Sequence, residues 1–173
     1  IFIMGCNLII ELLDRTLRDA ERTQRLTNTP VLGAFTGNMQ LRFRGYRKAC
    51  NRISANYACN KLNSKLVPGK PMIINLLSLE SREGKTFIAN YLKEEWEEQG
   101  LTVKYLTAGK DFPLNVSYLL TDGFNQFLTE KEIPNILIIE YPAILKSNIP
   151  STLLTQASFN IVIANACRVW KNS

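Results

Sequence analysis

The chain has 173 residues, 46% of them hydrophobic and 21% charged, with no histidine and a net charge of +6. A length of this kind suits one globular α/β domain, because folding then buries roughly 70% of the unfolded surface, and it argues against two full domains. Four cysteines without a C-x-x-C pair, in a chain lacking histidine, give no support to a zinc site or a disulfide framework and point to thiols in a reducing compartment.

The chain opens on Ile1 rather than Met and reads as a fragment or a processed product. Ile1 to Leu13 is apolar except for Asn7 and Glu11. It is too short to span a bilayer, which takes about 20 residues, and it lacks the basic leader and cleavage site of a signal peptide. Length alone favours a buried core helix over the last turns of a membrane helix. Glu11 to Leu26 has helical spacing of Leu12, Leu13, Leu17 and Leu26 among charges, ended by Thr29-Pro30. Val31 to Phe35 is a short apolar run with the look of a strand, and a long helix is expected from about Leu41 to Leu66, before Pro68-Gly69.

That helix lies in a segment, Gly37 to Lys70, with eight Lys/Arg and no acids, which leaves −2 for the rest of the chain. Its plainest use is a solvated face; an anionic membrane surface, an acidic subunit or a nucleic acid are the functional alternatives. Phe43, Tyr46 and Tyr57 interleave with the charges, but no compact nucleic-acid signature is present, so nucleic acid is not the expected partner.

Beyond Pro71 the pattern alternates. Strands are expected at Met72–Leu77, Thr102–Leu106, Ile136–Ile139 and Phe159–Ala164. Helices are expected at Lys85–Gln99, Tyr118–Leu128 and Ser151–Gln156, with Gly100 stopping the first of them. Strands separated by helices predict an α/β fold with a mainly parallel sheet, whose ligands bind at the carboxyl ends of the strands.

Ser78-Leu79-Glu80-Ser81-Arg82-Glu83-Gly84-Lys85-Thr86 lies between an expected strand and an expected helix, where a phosphate loop must lie. There backbone N–H groups and a lysine face the phosphates, while a Ser/Thr hydroxyl meets Mg²⁺. Gly-Lys-Thr alone is weak evidence, and Leu79 stands where G-x-x-x-x-G-K-T has its first glycine. A charged strand–helix turn without ligand is the plain alternative. The candidate nucleotide-binding residues are Ser81, Arg82, Glu83, Gly84, Lys85 and Thr86.

Two further stretches carry a resemblance over nearly the whole length. Glu11-Leu12-Leu13-Asp14-Arg15-Thr16-Leu17-Arg18-Asp19 resembles the E-x-L-D-R-T-[IL]-R stretch that follows the second transmembrane helix of bacterial tyrosine kinases and polysaccharide co-polymerases. Arg25-Leu26-Thr27-Asn28-Thr29-Pro30-Val31-Leu32-Gly33 is similar to their R-L-T-G-x-P-V-L-G. The resemblance implies a P-loop kinase-like fold over residues 29–173, preceded over residues 1–28 by the end of a membrane helix and a juxtamembrane helix. It implies a place at the cytoplasmic face of the bacterial inner membrane, with an anionic membrane surface near the basic segment. ATP and Mg²⁺ are the implied cofactors. The implied partners are further copies of the chain and the polysaccharide polymerase and export machinery.

Departures from the family pattern temper the implied activity. The family's phosphate loop, T-S-x-x-P-G-E-G-K-[ST], is matched at Ser78, Glu83, Gly84, Lys85 and Thr86, but Ser81 replaces proline and Arg82 replaces glycine. If the backbone at Arg82 needs a positive φ, the cost is about 1–2 kcal/mol. The family's D-x-D-x-R becomes Thr107-Ala108-Gly109-Lys110-Asp111, and a threonine hydroxyl cannot serve as a carboxylate base. The family's D-x-P-P becomes Glu140-Tyr141-Pro142-Ala143, so Glu140 with Thr86 is the candidate Mg²⁺ pair, and Glu140 and Asp111 are the catalytic candidates. Of the oligomer-forming E-x-x-R-x-x-R, Arg47 matches, with Arg44 where the pattern begins. The expectation is an inactive or impaired protein-tyrosine kinase homologue, a pseudo-kinase in exopolysaccharide or capsule chain-length control. An active tyrosine autokinase and a ParA/MinD-like ATPase are the alternatives.

Overall fold

The computed structural model describes residues 20–37, 44–114, 124 and 133–166. The chain divides into two units, one comprising residues 1–31 and 165–173, the other Leu32–Ala164. In the first, the described residues form helix α1, Ala20–Thr27, with Glu21 in its first turn and Arg25 in its last, as the helix dipole favours. Thr27 Oγ1 donates back to the Thr23 carbonyl at 2.8 Å, and Asn28, at φ 51°, leads the chain out of the helix. The segment Ile1 to Leu13, expected to leave a membrane, lies outside the described residues. Among those described, no helix is long and apolar enough to cross a bilayer.

Among its described residues the second unit forms a four-stranded, all-parallel sheet with helices against it. In chain order it contains α2 (Arg44–Leu62), a 3₁₀ turn (Asn63–Lys65), β1 (Met72–Leu77) and α3 (Lys85–Glu98). Then follow β2 (Val103–Thr107), β3 (Ile136–Glu140), a second 3₁₀ turn (Ile144–Lys146), α4 (Ser151–Gln156) and β4 (Phe159–Val162). The strand order is β2-β3-β1-β4. Five of the six β1 residues and four of the five β3 residues are buried, which is why both read as unbroken apolar runs: helices cover a parallel sheet on both faces. Alternation divides the core. Met72, Ile74, Leu76, Ile136 and Ile138 pack with Leu92 and Trp96 of α3 and Ala55, Ala58, Cys59 and Leu62 of α2. Leu77, Leu137, Ile139 and Tyr141 pack on the other face with Leu153 of α4, Phe112 and Phe124. The helix expected at Tyr118–Leu128 lies outside the described residues apart from buried Phe124.

Helix α3 ends as Gly100 predicts. At φ 81° this glycine lets its own N–H reach the Glu97 carbonyl at 3.0 Å, while the Leu101 N–H reaches Trp96 at 3.0 Å, a Schellman closure. Helices α2 and α3 meet along small side chains and are stitched by polar pairs. Arg52 bonds Glu98 at 2.5 Å, Asn56 bonds Glu95 at 2.7 Å, and the buried Trp96 indole donates to Asn63 at 2.9 Å.

One expected strand does not form. Among the described residues, 31–37 find no strand partner, although Leu32 and Phe35 pack on the core. Side chains of α2 meet their backbone groups instead. The fully buried Asn51 accepts from the Thr36 N–H at 2.7 Å and donates to the Thr36 carbonyl at 3.1 Å, while Ser54 donates to the Ala34 carbonyl at 2.7 Å. The Asn51 amide thus supplies the donor and acceptor that a neighbouring strand would offer.

Candidate functional site

The chain leaves β1 at Leu77 and reaches the N-terminus of α3 at Lys85 through seven residues at the carboxyl edge of the sheet. Gly84 caps the helix at φ 98°, where an L side chain would be strained, and no side chain caps the first turn. That first turn carries no acid, so its backbone N–H groups present partial positive charge to whatever lies before them. Lys85 is only 7% exposed and donates to Ser78 Oγ at 2.5 Å; Ser78, itself buried, donates on to the Glu80 carbonyl at 2.7 Å. Among the described residues no carboxylate pairs with Lys85. A buried ammonium with a single hydroxyl partner is a costly arrangement unless an anion completes it.

Arg82 sits at φ 64°, so the positive dihedral feared from the sequence is present, on an exposed arginine. Ser81 is exposed, Glu83 is half-buried, and both are engaged in further interactions of the loop. The second 3₁₀ turn braces the loop from outside, Ile144 N–H reaching the Ser78 carbonyl at 2.9 Å and Leu145 N–H the Leu79 carbonyl at 3.3 Å.

Register places a second set of groups at the same edge. Leu76 of β1 and Thr107 of β2 both lie beside Glu140 at the end of β3. Thr86, on the first turn of α3, donates its hydroxyl to the Glu140 carboxylate at 2.9 and 3.0 Å. The two residues expected to hold a cation are therefore together: a hydroxyl and a carboxylate in contact fit the oxygen chemistry of Mg²⁺, and they would be its ligands here. A third group, absent from the sequence expectations, joins them. The Tyr105 hydroxyl donates to Glu140 Oε2 and lies near Thr86 and Thr107. Burial first, then the bond to Glu140, pushes the Tyr105 phenol up to about 12. Strand parity held the signal, since Tyr105 lies two residues before Thr107 and faces the same way.

The turn after β2 gives Asp111 a structural occupation. Its Oδ2 accepts from the Thr107 N–H at 2.6 Å, and its own N–H donates to the Thr107 carbonyl at 2.8 Å. Gly109, at φ 85°, closes the same turn by donating to the Phe112 carbonyl at 2.7 Å. Where the related pattern has a second carboxylate, this backbone favours glycine. Of the two basic residues assigned to oligomer contacts, Arg47 stacks over the Phe87 ring at 5.5 Å, beside the Phe87–Tyr91 edge-on pair at 5.1 Å. Arg44 begins α2.

No family model matches the chain, and no curated protein matches it in sequence. Solved structures do match. The kinase domain of the Escherichia coli tyrosine kinase ETK aligns with a TM-score of 0.61 at 13% identity, covering 86% of this chain and 82% of that one. The chimerical protein CapA2B2 aligns with a TM-score of 0.53 at 16% identity, covering 83% of this chain and 84% of that one. The chain therefore shares the fold of the ETK kinase domain, with a parallel sheet between helices among the described residues.

Proposed function

We propose that this chain is a nucleotide-binding pseudo-kinase module of a polysaccharide co-polymerase, acting structurally in exopolysaccharide or capsule chain-length control at the cytoplasmic face of the bacterial inner membrane. The observation that carries the phosphate site is Lys85, buried behind an uncapped helix start without a carboxylate partner among the described residues. The ammonium and the helix N–H groups together suit the phosphates of a nucleotide such as ATP.

The loss of phosphotransfer rests on the acids. Thr107 and Gly109 stand where the resembling family has two carboxylates, Asp111 is spent on its own turn, and Glu140 already accepts two hydroxyl donors. A base for an incoming tyrosine hydroxyl is then missing. The membrane setting, assembly with further copies and contact with the polymerase and export machinery rest on the stretches Glu11–Asp19 and Arg25–Gly33. The basic, acid-free helix α2 supports a nearby anionic surface.

Incubation with labelled ATP and Mg²⁺ tests the reading. ATP should bind and Lys85→Met should weaken binding by about ten-fold or more, with no phosphotyrosine formed by either protein. Phosphotyrosine that disappears in Lys85→Met would establish the active autokinase instead.

A further inference from the structure

We infer that Tyr105 competes with a divalent cation for Glu140, so that the phosphate site of this chain holds its ligand with little help from a metal ion. The inference rests on the phosphate-site reading for its ligand but on separate residues for its geometry. Thr86 and Glu140 are the pair that would hold a cation, and the Tyr105 hydroxyl occupies Oε2 of the same carboxylate. Two hydroxyls, on Thr86 and Tyr105, donate to this one carboxylate.

The Thr107 hydroxyl brings no charge to offset the ion's dehydration, as a carboxylate at that position would. Tyr105 also brings a proton, which turns an acceptor cluster into a satisfied hydrogen-bond network. A cation that takes Oε2 displaces the Tyr105 hydroxyl, and the phenol, half-buried on β2, loses that acceptor. With the metal disfavoured, Lys85 and the helix N-terminus remain as the cationic elements facing a phosphate, and neither needs a metal to act.

The experiment titrates Mn²⁺ alone into the full chain, reading free Mn²⁺ by its electron paramagnetic resonance signal. Tyr105→Phe removes the competing hydroxyl and keeps the ring. It should bind Mn²⁺ about ten-fold more tightly than the unmodified chain, the scale of one hydrogen bond to a charged acceptor. Adding Glu140→Gln to Tyr105→Phe should abolish the gain, which places the ion at this carboxylate. A gain below about three-fold, or one that survives Glu140→Gln, overturns the inference. A parallel titration with ADP, in EDTA and in Mg²⁺, separates the two readings. Equal affinity in both media supports the inference, and affinity about ten-fold higher in Mg²⁺ overturns it while leaving the phosphate site standing. Absence of ADP binding in either medium removes the phosphate site, and the Mn²⁺ comparison then decides the competition by itself.

Discussion

Arg82 carries a left-handed backbone without being glycine, asparagine or aspartate. Such a residue costs about 1–2 kcal/mol, of which replacement by glycine returns only part, because glycine also frees the unfolded chain. Arg82→Gly should therefore raise unfolding stability by about 0.5–1 kcal/mol in urea denaturation. The titrating groups act in the opposite direction at high pH. Burial lifts the Cys59 thiol from 9.0 to about 12, and burial with the Glu140 bond lifts the Tyr105 phenol from 10.0 to about 12. Both raise the protonated form in the fold, so the folded chain keeps protons that the unfolded chain releases. Stability should be unaffected by these groups below about pH 9 and should fall as pH rises through about 12. Denaturation at pH 8, 10 and 11 checks this, and Tyr105→Phe should flatten the part of the decline above pH 10. The sequence disclosed Lys85, Thr86 and Glu140 because loop and strand motifs fix their places. It concealed Tyr105, since a tyrosine inside an apolar strand ordinarily signals core.

At the scale of elements, apolar runs bounded by turn residues located all four strands. Met72–Leu77 and Ser151–Gln156 needed no revision, the other strand boundaries moved by one or two residues, and the long helix expected to reach Leu66 ends at Leu62, with a 3₁₀ turn after it. The failure at Val31–Phe35 is instructive. Its apolar residues do reach the core, but the sequence does not reveal that a helix side chain will answer their backbone in place of a strand. Asn51 makes that substitution possible, holding Thr36 by its N–H, carbonyl and hydroxyl. Asn51→Ala leaves those groups without partners and should cost about 2–3 kcal/mol in urea denaturation. An unchanged midpoint would mean that water serves residues 31–37 equally well. Helix α2 also turns Tyr46, Ile53 and Tyr57 outward, at 73%, 70% and 52% exposure, which is why its sequence shows no clean apolar face.

For the whole molecule, the fold class was legible from alternation, but the strand order was not. Nothing local in Met72–Leu77 announces that its neighbours will be residues 136–140 and 159–162 rather than the next strand along the chain. Register of that kind is decided by which pairings bury both faces at once. It also brings Leu76, Thr107 and Glu140 to one edge, so the candidate site is assembled from segments far apart in sequence.

The order β2-β3-β1-β4 bears on how the chain is born. A ribosome delivers β1 and its lysine-bearing loop before either of its neighbours, for both flanking strands emerge only after residue 135 has been made. Until then a strongly apolar strand of the sheet has two bare edges, a state open to wrong pairing and attractive to chaperones. The loop that would grip a phosphate gains its carboxylate only once β3 has been made and brings Glu140 alongside Thr86.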